Sequence, residues 1–332
     1  MSIRIEDLKV YYCMKRGDCR AVENVSFTVE KGDAVGLVGE SGCGKSTVAF
    51  ALLKMLPFPG QIVGGHIYYN DQDLVPLTDD EMIRYRWAKM AMVFQGAMNA
   101  LNPIIRISDQ IIEAIQRHDE GVSKKEALKR AQELFKLVGL DPDRVNHYPF
   151  EFSGGMKQRA MIVMALACNP EFVIADEPTT ALDVTVQAQI MELLKKLVEE
   201  LGITLILITH DLSVVAETCK RVIIMYAGKI VEIGTVVEIF ERPLHPYSQG
   251  LIASIPSIEK ASDQTLASIP GQPPNLLDPP PACRFHPRCP YTQEICKTED
   301  PAIEELEKGH FVACHLATGR ITDESYSITR KF

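Results

Sequence analysis

Apolar residues recur along this chain in two rhythms, and the places where the rhythm changes divide it into parts. Residues 2–12 alternate as a half-buried strand does, and residues 21–29 predict a second strand paired with the first. Ala34, Val35, Gly36, Leu37 and Val38 make an apolar strand-like run, and residues 48–55 predict a helix. Residues 64–69 predict another short strand, with Asn70 and Asp71 as its turn. Thr78, Asp79, Asp80 and Glu81 match a capping box that opens a helix. A strand then returns over 90–94 and ends at Gln95.

Asn102 and Pro103 break the chain, and helices are predicted over 107–117 and 124–138, the second capped by Ser123 and closed by Gly139. This is a helical insert over about residues 97–165, with 148–159 at its far end. The αβ rhythm resumes with a strand at 171–175, a helix at 184–201, a strand at 204–209, a helix at 212–220 and a strand at 221–226. Strands alternating with helices imply a largely parallel sheet with right-handed crossovers and ligands at the strands' carboxyl ends. Gly39, Asp176 and His210 all fall at such ends. Past about residue 241 prolines thicken (Pro243, Pro246, Pro270, Pro273, Pro274), which predicts a loop-rich appendage leaning on its neighbour. The expected fold class is α/β, with one domain over 1–240 and an extension over 241–332.

The 332 residues suffice for one large α/β domain plus such an appendage. A net charge of −9 argues against a dedicated nucleic-acid binder. No apolar run approaches the roughly 20 residues that span a bilayer, and the N-terminal residues lack the apolar core of a signal peptide. The chain is therefore expected in the cytosol, reaching a membrane only through a partner. Cys13, Cys19, Cys43, Cys168 and Cys219 are scattered, whereas Cys283, Cys289, Cys296 and Cys314 crowd into the tail. In a cytosolic chain that crowding suggests metal before disulfide.

Residues 39–47, GESGCGKST, fit the pattern G-x-x-x-x-G-K-[ST] between a strand and a helix. Gly39, Gly42 and Gly44 let the loop's backbone N–H groups, those of Ser41, Cys43 and Thr47 among them, close around phosphate oxygens. Lys45 is expected to reach the β- and γ-phosphates, and the Ser46 hydroxyl to help hold Mg2+. The strand before residue 177 ends in two carboxylates. Asp176 is placed to hold Mg2+, and Glu177 to polarise a water for in-line attack on the γ-phosphorus. His210 can contact the γ-phosphate, although a strand-end histidine is more often structural. Ser153, Gly154 and Gly155 precede a helix, the geometry of a second phosphate site. On a separate insert, that site suits a nucleotide held by another subunit.

The order of these motifs resembles that of the ATP-binding-cassette ATPases over residues 1 to about 240. The resemblance implies a P-loop cassette fold: a RecA-like core with an antiparallel β subdomain and a helical subdomain. It implies that Tyr12, or Tyr11 beside it, stacks on adenine, and that Gln95 joins the Mg2+ shell and senses a membrane partner. Ser153, Gly154 and Gly155 would clamp the γ-phosphate on the opposite subunit. Asp176 would bind metal, Glu177 act as general base and His210 as the switch histidine, while residues 180–183 would cross a dimer interface. Met156 departs from the pattern, standing where glutamine is usual.

Residues 242–251, with His245, Pro246 and Tyr247 in sequence, resemble the segment that follows the ATPase domain in oligopeptide, dipeptide and nickel importers. Read without the family, this is a proline-bounded helix start. The tail cysteines run C-x5-C-x6-C-x17-C, neither a zinc-ribbon nor a familiar ferredoxin spacing. Four thiolates suit a zinc ion or a [4Fe–4S] cluster. The resemblance to peptide-importer ATPases favours the cluster, with zinc, plain thiols or a disulfide as alternatives and His286, His310 and His315 as substitute ligands.

The implied function is the ATP-hydrolysing motor of an importer at the cytoplasmic face of a membrane, taking up oligopeptides or dipeptides. Its partners would be a second cassette subunit (related but not identical, or a copy of itself), two transmembrane permease subunits and, indirectly, an extracytoplasmic solute-binding protein. Nickel or oligosaccharide import by the same architecture is the alternative. An exporter motor is disfavoured by the segment at 242–251, and a soluble cassette ATPase acting on nucleic acid or ribosomes would carry two cassettes or coiled-coil arms.

Overall fold

The computed structural model describes residues 2–96, 100–255 and 269–326. It contains two compact units, one of Met1–Val29, Val35–Val75 and Thr209–Phe332, the other of Glu30–Ala34 and Pro76–Ile208.

The first unit opens with β1 (Ser2–Met14) and β2 (Gly17–Glu30), followed by β3 (Ala34–Val38), α1 (Lys45–Leu52), β4 (Gly60–Tyr69) and β5 (Gln72–Asp73). β2, β1, β4 and β5 lie side by side in that order, β1 and β4 antiparallel. On β1 the buried positions are Ile3 and Ile5, then Leu8 and Val10. The parity changes because the register slips between Glu6 and Lys9, where Asp7 takes a φ of 46°. Such a bulge re-aims every side chain beyond it, so Tyr12 shares the face of Leu8 and Val10, against which α1 packs.

The second unit contains α2 (Asp79–Met82), β6 (Met90–Val93), α3 (Ile107–His118), α4 (Lys124–Leu137), α5 (Gly154–Leu166), β7 (Phe172–Asp176), α6 (Val184–Leu201) and β8 (Thr204–Thr209). β7 lies between β6 and β8 and is parallel to both. All three strands are buried along their length, as expected of parallel strands covered on both faces. The helices begin where their caps direct. Thr78 with Glu81 and Ser123 with Glu126 form complete capping boxes, and α6 ends at Gly202 in the left-handed region. α3 buries Ile107, Ile111, Ile112 and Ile115, α4 buries Ala127, Ala131, Leu134 and Phe135, and Phe135 meets Phe152 edge to face at 6.4 Å.

The chain returns to the first unit with α7 (Leu212–Thr218), β9 (Arg221–Tyr226), β10 (Lys229–Thr235), α8 (Val236–Glu241), α9 (Pro246–Ala253), α10 (Glu294–Thr298), β11 (Glu304–Glu307) and β12 (His310–Val312). β3 pairs parallel with β9, and antiparallel pairing then continues through β10 and β12 to β11. The tail therefore does more than lean on its neighbour, since two of its strands extend the sheet.

Most expected elements are present, with shifted ends. The helix expected over 48–55 starts at Lys45, because Gly44 already turns the chain into its first turn. The strand expected at 64–69 starts at Gly60, the one at 21–29 starts at Gly17, and the helix expected to 220 stops at Thr218. The first residues of the helical insert, 97–99, lie outside the described residues. Among the described residues no helix is long and apolar enough to cross a membrane.

Candidate active site

In the first unit the loop after β3 follows from two steric constraints. A Cβ on Gly39 would sit 2.2 Å from the carbonyl oxygen of Met225, and one on Gly44 would sit 2.3 Å from that of Ala21. Both positions also hold φ in the left-handed region, at 151° and 107°, so only glycine fits. Gly44 caps α1 without a side-chain hydrogen bond, and no acidic residue occupies the first turn. The helix thus presents first-turn N–H groups and the positive end of its dipole to an anion. Lys45 is buried, and its Nζ donates to the carbonyl oxygens of Gly39 at 2.7 Å and Glu40 at 3.0 Å. Those bonds draw the ammonium across the loop. Ser41 and Gly42 are exposed at the tip, whereas the N–H of Cys43 is engaged inside the loop by the Glu40 carbonyl at 3.2 Å. Ser46 and Thr47 follow in the first turn of α1.

Tyr12 and Tyr11 take different roles. The Tyr12 hydroxyl lies 3.4 Å from Thr47 Oγ1, on the rim of the loop. The Tyr11 hydroxyl donates to the Glu23 carboxylate at 2.9 Å on the opposite face. His210, directly after β8, is exposed.

In the second unit β7 brings Asp176 to its carboxyl end, 2% exposed. Glu177 follows with a φ of 43°, a conformation uncommon outside glycine, fixed by its N–H donating to the Ile208 carbonyl at 2.8 Å. That turn directs the carboxylate to Gln95, whose Nε2 donates to Glu177 Oε2 at 2.7 Å, and to Thr180, whose hydroxyl donates at 2.9 Å. Gln95 and Glu177, 82 residues apart, are thus brought together. Elsewhere in this unit Ser153 caps α5, its Oγ accepting from the Met156 N–H at 3.4 Å. Because the cap uses the main chain of residue 156, methionine there leaves it intact. Gly155 packs so closely that a Cβ would lie 2.6 Å from Val186, at the start of α6, which Asp183 caps at 2.9 Å.

These half-sites give a phosphate cradle in one unit and an acidic, amide-supported strand end in the other. A sequence profile described as ABC transporter matches residues 22–180, and one described as oligopeptide/dipeptide transporter, C-terminal region, matches residues 231–296. The oligopeptide transport ATP-binding protein OppD of Bacillus subtilis is 46% identical over 95% of this chain and 88% of its own. The dipeptide transport ATP-binding protein DppD of the same organism is 44% identical over 96% and 95%. The chain belongs to the ABC transporter ATP-binding proteins. Among solved structures, the ATP-binding cassette MJ0796, a dimer in a post-hydrolysis state with ADP and Pi, superimposes with a TM-score of 0.64, 32% identity, and coverage of 70% of this chain and 98% of that one.

The cassette is accordingly an ATPase that couples ATP hydrolysis to transport, built on the P-loop α/β fold and using ATP with Mg2+. A soluble role on nucleic acid or ribosomes is not favoured by these relatives. The cassette also holds contacts that sequence reasoning missed. The Glu40 N–H donates to the Tyr247 hydroxyl at 2.9 Å, and the Glu40 carboxylate pairs with Arg288. A charged residue inside a glycine loop was the only sequence signal for them.

In the tail, Cys283, Cys289, Cys296 and Cys314 line one cavity with Phe285, Tyr291, Leu316 and Ile321. All nine cysteines are free thiols. Burial pushes the Cys283 and Cys289 thiols up to about 12 and raises that of Cys314. No three of the four sulfurs lie within 4.8 Å of one another, and the one such grouping among the described residues is Glu238, Glu307 and His310. His310 is not beside the cysteines as a substitute ligand: its Nε2 is 2.8 Å from the buried Glu232. His286 and His315 do line the cavity, bonded through one ring nitrogen to the carbonyls of Cys283 and Glu299.

Proposed function

We propose that this chain is the ATP-hydrolysing motor subunit of a peptide importer, at the cytoplasmic face of the membrane. The observation that carries the reading is that the similarity to OppD and DppD runs through the C-terminal region as well as the cassette. Two relatives named for different peptide lengths lie two percentage points apart in identity, so oligopeptides and dipeptides stand as one substrate class. The proposed partners are a related second ATPase subunit, two transmembrane permease subunits and an extracytoplasmic binding protein. Residues 1–240 are proposed as the cassette domain, with 97–165 as its helical insert, and 241–332 as the extension.

In this reading Tyr12 stacks on adenine, and the phosphate loop, through the main chain of Gly39 and of residues 41–47 together with Lys45, holds the phosphates, the Glu40 N–H being committed to Tyr247. Ser46, Gln95 and Asp176 are hydroxyl, amide and carboxylate donors, a hard-oxygen set that suits Mg2+, which when bound neutralises phosphate charge. Glu177 takes the proton of the attacking water while His210 faces the γ-phosphate, and Ser153, Gly154 and Gly155 clamp the nucleotide on the partner subunit. Closure of that dimer moves the permease, and hydrolysis reopens it.

The four tail thiols are proposed to hold a [4Fe–4S] cluster. One apolar cavity collects all four, and no three of their sulfurs lie within 4.8 Å of one another, as sulfurs roughly 4 Å apart around one zinc ion at 2.3 Å would. A cubane binds each thiolate at a different corner and suits the wider set. It would supply a structural cross-link among residues 283–314. The test of function is uptake of labelled di- and oligopeptides by cells that contain this chain with its permease and second ATPase. Uptake abolished by Glu177→Gln supports the reading, whereas nickel or oligosaccharide uptake without peptide uptake overturns the substrate class. Iron, sulfide and zinc assays on anaerobically purified protein test the cluster. About four irons and four sulfides per chain are expected, and stoichiometric zinc refutes it.

A further inference from the structure

Glu40 is the second residue of the phosphate loop, and a carboxylate there would repel the anion the loop is built to take. In this chain it is held on every polar group. Its N–H donates to the Tyr247 hydroxyl, its carbonyl accepts from Lys45 Nζ at 3.0 Å, and its carboxylate is gripped bidentately by Arg288 at 2.7 and 3.0 Å. The guanidinium is committed to this place. It is 8% exposed, its Nε donates to the Pro270 carbonyl at 2.8 Å, and its remaining donors reach Tyr226 Oη and the Ile269 carbonyl at 3.3 Å each. All five N–H groups are thereby used, which surface ion pairs rarely achieve. Arg288 stands directly before Cys289, 248 residues from Glu40.

We propose that Arg288 is a positioning residue for the nucleotide site. It neutralises Glu40 and fixes the loop's second residue, so that a correctly seated cysteine module is a condition for ATP affinity. The module then acts on the ATPase without touching nucleotide, and loss of its seating is felt as weaker ATP binding. This rests on the reading of residues 39–47 as the ATP site.

The test is the ATP dissociation constant of the full chain, by calorimetry with Mg2+ present, for wild type, Arg288→Gln, Glu40→Gln and the double variant. Arg288→Gln leaves a lone carboxylate at the loop and should weaken binding about tenfold or more. Glu40→Gln should change it less than about threefold, and the double variant should recover most of what Arg288→Gln lost. A purely structural arginine gives no such recovery, since the second substitution removes a further contact. Arg288→Lys keeps the charge but gives up the fork, and should fall between wild type and Arg288→Gln. Wild-type affinity in Arg288→Lys overturns the proposal even if Arg288→Gln does not fold, as does a double variant as weak as the single. Failure of the wild type itself to bind ATP would count against the nucleotide site and not against the pairing alone.

Discussion

Glu232 offers a perturbation whose magnitude follows from counted bonds. It lies in the middle of β10 with its carboxylate fully buried. Oε1 accepts from the Leu244 N–H at 2.8 Å and lies 2.8 Å from His310 Nε2, while Oε2 accepts from the His245 N–H at 2.9 Å. One side chain thus ties the start of the His-Pro-Tyr segment and strand β12 to β10. In Glu232→Gln the amide oxygen can keep the Leu244 and His310 contacts, but the NH2 group then faces the His245 N–H, a donor against a donor. One buried donor left unpaired corresponds to about 1–3 kcal/mol. In Glu232→Leu both N–H groups and the imidazole lose their acceptor, and the loss should reach about 3–7 kcal/mol. Hydrogen exchange at Leu244 and His245 resolves the two cases, since each 1.4 kcal/mol is about a tenfold change in protection. Protection at both amides should fall steeply in the leucine variant, and mainly at His245 in the glutamine variant. Equal losses in the two variants, or loss at neither amide, would refute the assignment of Glu232 as their acceptor.

Four shorter expectations follow from the same geometry. Glu177→Gln should bind ATP but accumulate a closed dimer with the partner ATPase, seen by size exclusion; unimpaired phosphate release with the partner present removes Glu177 as base. Lys45→Ala takes away the ammonium held across the loop and should weaken ATP binding by tenfold or more in calorimetry. Cys289→Ser should speed proteolysis of the tail and, by unseating Arg288, weaken ATP binding with it; weaker binding with unchanged proteolysis would refute a structural role for the thiol. Burial drives the His245 imidazole down to about 3, so the folded chain holds it neutral. The unfolded chain binds that proton below about pH 6.5, so this contribution is complete above that pH and is lost at up to about 1.4 kcal/mol per unit as pH falls toward 3. His245→Asn keeps an N-cap acceptor for the Tyr247 N–H, and exchange at that amide should lose its acid dependence; an unchanged slope would place the titration elsewhere.

What was legible in the sequence was local. The capping boxes at Thr78 and Ser123 each close within three residues, and the glycine loop shows its own constraints at Gly39 and Gly44. β10 went unread because Glu232, a charge at the centre of an apolar run, breaks the pattern that marks a strand. Only the structure shows its carboxylate satisfied from residues 244, 245 and 310. Which face of β1 Tyr11 and Tyr12 each take follows from a one-residue slip near Asp7, which alternation alone does not reveal. The tail looked loop-rich because its strands are three and four residues long and pair with partners distant in sequence.

The physical reason that hid β10 also bears on how the tail relates to the cassette. Charges drawn out of water need partners, and in this chain the buried Glu232 and the half-buried Glu40 and Glu23 find theirs in His310, Arg288 and Arg284, all beyond residue 280. The three acidic residues sit on the phosphate loop, on β10 and on β2, so the tail supplies a hydrogen-bonding partner to a carboxylate at three separate places in the same unit. Removing one partner of a buried pair is far more destabilising than losing an exposed one. A tail that only decorated the cassette would leave those carboxylates solvated. Because it does not, truncation before residue 280 should take a partner from all three, leaving Glu232 only the N–H groups of residues 244 and 245, Glu23 only the Tyr11 hydroxyl and the Glu40 carboxylate without Arg288, and yield a chain that no longer binds ATP. A truncated chain with wild-type affinity would show the pairs to be dispensable.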